Sequence, residues 1–303
     1  MTGDKSYHIP VLFKEVLDFL VLNKDGIYVD CTFGGGGHSK GILQQLSDKG
    51  KLIAFDQDAD VLQNIPKDDR ILFIPHNFRH LSRFLRLNGV DKVDGILADL
   101  GVSSHQFDEA ARGFSIRFSG KLDMRMDQRQ DKTAAHIINS YSEARLHKLF
   151  EQYGEVTNSK TLARTIIESR KTISIDTIET FRNVIKSIIK GNPNKYLAQV
   201  FQALRMEVND EMNALKELLE QSPEVLKIGG RIAVITFHSI EDRIVKRYFR
   251  DNTFSEEEEN PFESKEKERI LNPVNKKPVT ASEKEIKINP RSRSAKLRVA
   301  ERI

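Results

Sequence analysis

Asp30-Cys-Thr-Phe-Gly-Gly-Gly-Gly-His38 decides how this chain folds. The apolar run Ile27-Tyr28-Val29 leads into it, and an amphipathic stretch over about residues 38–48 leads out, so it is a strand, a glycine turn and a helix. Glycine carries no Cβ and tolerates positive φ, which lets backbone approach a ligand closely. A second apolar run from Lys51 ends on Asp56, 20 residues past Gly36. A carboxylate there accepts both hydroxyl protons of a ribose, so the spacing predicts an adenosine-type cofactor.

Dinucleotides and S-adenosylmethionine share this layout. A dinucleotide turn needs Gly-x-Gly-x-x-Gly to seat pyrophosphate on a helix N-terminus, and register from Gly34 gives Gly34, Gly36 and then Ser39, where Gly or Ala is expected. A sulfonium cofactor with an amino-acid tail and no phosphate benefits instead from a carboxylate beside the turn, where Asp30 stands. The details favour S-adenosylmethionine; a plain glycine-rich surface loop is the bland alternative.

The alternation continues outward. Strands are predicted at Ile27–Cys31, Lys51–Asp56, Ile71–Pro75 and Val93–Asp99, with helical stretches around 38–48, 58–65 and 79–87. Such a βαβ series predicts a parallel, doubly wound α/β sheet with ligand at the carboxyl ends of its strands. From Thr133 to Lys190 the spacing is helical only, and one long helix is predicted over Asn194–Gln221, ended by Pro223. Gly229-Gly230 introduces a strand at Arg231–Phe237. Ser255–Lys287, poor in apolar residues, reads as a loosely packed loop, and Ser294–Ala300 as an edge strand. The expected division is a core of 1–108 with 206–303 and an all-helical insertion of 109–205.

At 303 residues and 39% hydrophobic content the chain supports a real core. Its first ten residues lack a leader pattern, and no uncharged apolar stretch approaches the roughly 18 residues that span a bilayer, so a cytoplasmic protein without a membrane partner is expected. A single cysteine, Cys31, excludes an intrachain disulfide, and eight scattered histidines give no metal-ligand spacing; no metal is expected. The net charge is +4, but Lys287, Arg291, Arg293, Lys296, Arg298 and Arg302 face only Glu301, and Arg112–Lys132 is similarly tilted. Two basic segments point to a polyanionic substrate, a solvated surface being the alternative.

For chemistry, Asp99 emerges at the end of a strand, beside the expected cofactor and ahead of Leu-Gly-Val-Ser-Ser-His-Gln106. A carboxylate there can hold a substrate amine, favour its pyramidal form and disperse the charge that develops on it. Capping of the following turn is its structural alternative. His238, just past the last core strand, is a second catalytic candidate, as a cap or an orienting group. Ser239 with Asp242 reads as a helix N-terminal cap, and Asp123, Arg125 and Asp127 as a salt-bridged turn.

Eight blocks then stand in one order: Tyr7–Val11, Asp30–His38, Ala98–Ser104, Arg112–Ser115, Leu122–Asp127, Phe201–Arg205, Thr236–Arg243 and Asn289–Ser294. Together they resemble the bacterial 16S rRNA (cytosine-N4)-methyltransferases, the RsmH/MraW family, over nearly the whole chain. The resemblance implies a class I methyltransferase core with a helical domain inserted after the fourth strand. It implies S-adenosylmethionine-dependent methylation of N4 of one cytidine in the decoding centre of the small subunit. The matching motifs put cofactor contacts on Gly36, Gly37, His38, Asp56, Phe78, Asp99 and Gln106, with Phe78 over the adenine. Arg112, Phe114, Arg291 and Arg293 are the candidates for 16S rRNA.

One departure concerns amino methyltransferases at large, which often carry Asp/Asn-Pro-Pro-Tyr/Phe where this chain has Asp99-Leu-Gly-Val. A flipped base would then stack on Phe114, Phe118 or Phe237. A non-catalytic RNA-binding or ribosome-assembly factor with the same fold, and more remotely a dinucleotide oxidoreductase, are the competing functions. The oligomeric state, a homodimer included, stays open.

Overall fold

The computed structural model describes residues 10–254 and 269–303. In chain order its main elements are α1 (Phe13–Leu20), β1 (Ile27–Asp30), α2 (Gly37–Gln45), β2 (Lys51–Phe55), β3 (Ile71–Ile74), α3 (Leu81–Leu87) and β4 (Val93–Asp99). There follow α4 (Ser104–Asp108), α5 (Ala134–Ser140), α6 (Glu143–Gln152), α7 (Ser159–Ser169), α8 (Ile178–Ile185) and α9 (Pro193–Val208). The chain closes with α10 (Glu211–Val225), β5 (Leu226–Thr236), α11 (Ser239–Asp251), β6 (Leu271–Pro273), β7 (Val279–Thr280), α12 (Glu283–Ile288) and β8 (Lys296–Arg302). No helix among the described residues is long and apolar enough to cross a membrane.

Neighbouring residues along each central strand bury opposite faces of the sheet. Tyr28, Leu52, Leu97 and Ala233 pack with α1 and α2, while Val29, Ile53, Ile96 and Ile232 pack with α3, α10 and α11. Burial on both faces explains why these strands read as continuous apolar runs. The sheet order is β3-β2-β1-β4-β5-β8-β6, with β7 also on β8. β1 to β5 are mutually parallel, as the strand–helix alternation predicts. Because the chain runs outward one way through β2 and β3 and the other way through β4 and β5, the switch point lies between β1 and β4.

The last strand departs from expectation. β8 is an interior strand, antiparallel to β5 on one side and to β6 and β7 on the other. Its polar–apolar alternation mimics an edge, but Arg298 is buried, with Nε 2.7 Å from Asp242 Oδ1, so the polar positions are not solvent positions. The expected loop over 255–287 is also corrected: 255–268 lie outside the described residues, and β6, β7 and α12 follow. Side-chain bonds to backbone organise this apolar-poor stretch. Asn252 Oδ1 accepts from the Leu271 N–H at 2.6 Å and Asn275 Oδ1 from the Val299 N–H at 2.7 Å. The Tyr7–Val11 block is described only from Pro10 on.

The chain divides into two compact units, residues up to Gly101 with those from Asn213, and Val102–Met212. The second is helical around Phe150, Phe181, Leu204 and their neighbours. The expected helix over Asn194–Gln221 is two helices, broken at Asn209-Asp210, where Asp210 has φ +50°. Asn209 accepts from the Met126 N–H at 2.7 Å and donates to the Met124 carbonyl at 2.8 Å. Arg205 and Glu211 pair across the break at 2.7 Å. Pro223 lies inside α10 instead of ending it, because Ser222 Oγ donates to the Leu219 carbonyl at 2.8 Å, the acceptor that a proline at 223 leaves without its N–H.

Candidate active site

The carboxyl ends of β1, β2 and β4 converge at the switch point. β1 delivers Asp30, 1% exposed, whose Oδ2 accepts from Ser39 Oγ at 2.7 Å and whose Oδ1 accepts from the Thr32 N–H at 3.1 Å. Burial raises the pKa of Asp30, and the Ser39 bond opposes it. Thr32 Oγ1 in turn accepts from the Asp99 N–H at 2.7 Å, fastening the end of β4 to the turn after β1.

The four glycines do two different jobs. Gly36 has φ +72°, and a Cβ on it would stand 2.9 Å from the Phe33 ring; one on Gly37 would stand 2.3 Å from Pro10 Cγ. These two let α2 pack. Among the described residues, a Cβ on Gly34 would meet nothing closer than 3.9 Å, and one on Gly35 nothing within 4 Å, so that stretch of backbone borders open space.

Asp56, half-buried after β2, accepts from the Gly34 N–H at 2.8 Å and from the Asp58 N–H at 2.9 Å. Burial dominates those bonds and raises its pKa to about 6. Phe78 opens a 3-10 turn after β3 and is partly buried against the α3/α10/α11 face. Asn77 donates to Gln57 Oε1 at 2.9 Å, and Arg79 pairs with Glu217 at 2.7 and 2.6 Å, so the turn is held beside the residue following Asp56.

His38, on the first turn of α2, is 6% exposed and stacks on Phe13 with ring centroids 6.0 Å apart. Its Nε2 lies 3.6 Å from Asp99 Oδ2. Neither ring nitrogen has a hydrogen-bond partner among the described residues, nor does the buried Asp99 Oδ1. Opposite, Gly101 has φ +106°, and a Cβ on it would lie 3.5 Å from the Phe237 ring. Register explains the meeting: Asp99 pairs with Ile235, so the residues two further on face each other.

His238 is the N-cap of α11. Its Nδ1 accepts from the Glu241 N–H at 3.4 Å, and Glu241 Oε2 accepts from the Phe237 N–H at 2.9 Å and the His238 N–H at 3.4 Å. The cap therefore stands one residue earlier than the expected Ser239, and Asp242 is engaged with Arg298 and Lys296.

Arg293 is exposed and Arg291 half-buried on the 3-10 turn Pro290–Ser294. Along β8, Lys296 and Arg298 are committed to Asp242 and Arg302 to the Leu226 carbonyl. In the helical unit, Gln106 is buried and forms a capping box with Ser103. Arg112 is buried and donates to the carbonyls of Arg125 and Met126 at 3.0 and 3.3 Å; Phe114 is buried in that unit's core. Phe118 is partly exposed, with the Arg117 guanidinium 5.7 Å from its ring. Asp123–Arg125 and Asp127–Arg129 form the salt-bridged turn.

Sequence reasoning passed over Thr32, Phe13 and the service of Ser39. Ser39 had a signal: it is the residue that spoils the dinucleotide glycine pattern, and its hydroxyl goes to Asp30.

The site suits S-adenosylmethionine by its own chemistry: open glycine backbone and a half-buried carboxylate to receive hydroxyl protons. A model of the MraW methylase family matches residues 5–303. A ribosomal RNA small subunit methyltransferase H from Azobacteroides pseudotrichonymphae is 51% identical over 98% of both chains. One from Christiangramia forsetii is 52% identical over 98% of both. The crystal structure of an rRNA methylase from Streptococcus thermophilus aligns with 96% of this chain and 93% of its own, at 12% identity and a TM-score of 0.40.

Proposed function

This chain belongs to the MraW methylase family, and from that premise we propose that it methylates the exocyclic N4 of one cytidine in the decoding centre of 16S rRNA, within the small ribosomal subunit. S-adenosylmethionine, when bound, supplies a methyl group on a sulfonium. Asp56 receives the ribose hydroxyls, Phe78 covers the adenine, and the backbone from Gly34 to His38 completes the cradle.

The observation that carries the reading is the setting of Asp99. It ends β4 at the switch point, its N–H is anchored by Thr32, and its Oδ1 is buried without a donor among the described residues. A carboxylate fixed this way accepts a hydrogen bond from the cytosine amine, aligns the nitrogen and stabilises the charge it acquires. Phe237, facing Gly101, is our choice among the three aromatics for stacking on the base, because it lies in the same unit as Asp99. Arg293 and Arg291 contact RNA phosphates. Arg112 and Phe114 serve the RNA indirectly, by shaping the loop that carries Arg117 and Phe118. The enzyme works in the cytoplasm, where small subunits are assembled.

The test uses small subunits lacking the modification and labelled S-adenosylmethionine, with mass analysis of the nucleosides. N4-methylcytidine is expected. Intact cofactor binding without label overturns the proposal and leaves a non-catalytic assembly factor. Asp99→Asn is expected to lose about 10²–10⁴-fold in turnover while keeping its circular dichroism and melting temperature.

A further inference from the structure

His38, buried, and Asp99, a quarter exposed, form an imidazole–carboxylate pair with unspent hydrogen-bonding capacity among the described residues. Nε2 stands 3.6 Å from Oδ2, beyond hydrogen-bond range but within reach of a small rotation. Both ring nitrogens and Asp99 Oδ1 are sealed from solvent, and among the described residues none has a partner. Buried polar groups are normally satisfied, so three such atoms in one place mark a site waiting for a proton or a donor.

The surroundings fix the ring without occupying it. Phe13 of α1 lies against the imidazole at an interplanar angle of 29°. The titratable groups acting on the pair are carboxylates: Asp30 on β1 influences both His38 and Asp99, and Asp56 acts on Asp30. Asp30 is already bonded to Ser39 and to the Thr32 N–H, which leaves Asp99 as the carboxylate that His38 addresses.

We infer that His38 is the positioning residue of Asp99 and the group that takes on the proton released by the methylated amine. This rests on the methyl-transfer reading above. The N4 lone pair forms the bond to the methyl carbon as the carbon–sulfur bond breaks, its electron pair going to sulfur. The nitrogen, now positive, gives one of its two protons to Asp99 and keeps the N–H electron pair. Asp99 passes that proton to a ring nitrogen of His38, which restores the carboxylate, and after product leaves the imidazolium returns it to water by way of the solvent-exposed part of Asp99. A base behind the carboxylate prevents a protonated Asp99 from persisting beside the product.

His38→Gln retains a hydrogen-bonding side chain that takes no proton. In single turnovers of the full chain with saturating S-adenosylmethionine and unmodified small subunits, it is expected to be about 10–100-fold slower. Its pH profile should lose one ionisation, while the cofactor dissociation constant stays within about threefold. A tenfold loss of cofactor affinity with a native rate and pH profile overturns the inference and makes His38 a cofactor contact alone. The second readout needs no turnover: ¹⁵N spectra of the labelled imidazole in the cofactor-free protein should change in Asp99→Asn, and unchanged His38 resonances overturn the inference. Wild-type protein that forms no N4-methylcytidine sinks the methyl-transfer reading instead, and the two failures are read separately.

Discussion

Gly34 donates its backbone N–H to Asp56 Oδ2 across 2.8 Å, so the turn after β1 and the carboxylate after β2 form one hydrogen-bonded object. The second backbone donor, Asp58 N–H, holds the other oxygen at 2.9 Å. Turn and carboxylate are thereby linked through the main chain, and disturbance of either is felt at both.

The first prediction concerns pH. Burial raises the Asp56 carboxyl from 3.8 to about 6 in the folded protein. A raised acid binds its proton more tightly when folded, so its contribution to stability is fullest below about pH 4 and is lost as pH rises through about 6. The loss is on the order of 2–3 kcal/mol at most. Urea denaturation of the cofactor-free protein across this window should show it, and Asp56→Asn should flatten that part of the profile. Cofactor affinity should run the opposite way in the wild type, rising through about pH 6 as the carboxylate becomes able to accept both ribose hydroxyls.

Gly35→Ala and Gly36→Ala should separate binding from folding. At Gly36 the positive φ and the nearby Phe33 ring make alanine cost about 1–3 kcal/mol of stability. At Gly35 the new methyl meets nothing within 4 Å among the described residues, so the melting temperature should barely move. The same methyl stands in the cofactor site proposed above, and calorimetric titration with S-adenosylmethionine should show about tenfold weaker binding. Equal affinity for Gly35→Ala and wild type would place the ligand elsewhere.

His238 and Glu241 satisfy the first turn of α11. Replacing His238 by Asn, itself an able cap, should preserve both thermal stability and cytidine methylation, whereas His238→Ala should cost about 1 kcal/mol. A hundredfold loss of methylation in a stable His238→Asn protein would instead assign the imidazole to the substrate.

The Asp242–Arg298 pair neutralises the buried cation of the interior strand β8. Burial pushes the Asp242 pKa up, but the bonds from Arg298 and Lys296 outweigh it and hold the group below its ordinary value. Its stabilisation is therefore present at neutral pH and lost on acidification through that lowered pKa. Asp242→Ala leaves a buried guanidinium unpaired and should cost about 3–5 kcal/mol in denaturant titrations, with much of it recovered by adding Arg298→Met.

Much of the sheet was legible because β1 to β5 are apolar on both faces and glycines or carboxylates mark where they stop. Asp30, Asp56 and Asp99 could be located for the same reason: Asp30 and Asp99 end strands and Asp56 directly follows one. What escaped the sequence depends on partners far along the chain. The break at Asn209 interrupts an unbroken apolar spacing, and its cause is the loop around Met124–Met126. Arg298 looked solvent-facing until Asp242 was seen to neutralise it. Local cap preference favoured Ser239 over His238, yet Glu241, three residues after His238, is what receives the Phe237 and His238 N–H groups. Thr32 carries no pattern of its own; only the adjacency of β1 and β4 gives it a role.

The interior position of β8 also sets an order of events. Lys296 pairs with Thr236, so β5 waits through the synthesis of everything between them before its second edge is covered. In that interval a nascent chain has laid down β1 to β4 and the helical unit, but presents an open row of backbone donors and acceptors in what will become the middle of the sheet. Such an edge is a template for a neighbouring chain. The protein is therefore most exposed to aggregation late in its synthesis, and trimming it back from the carboxyl end should yield insoluble protein before it yields an inactive soluble one.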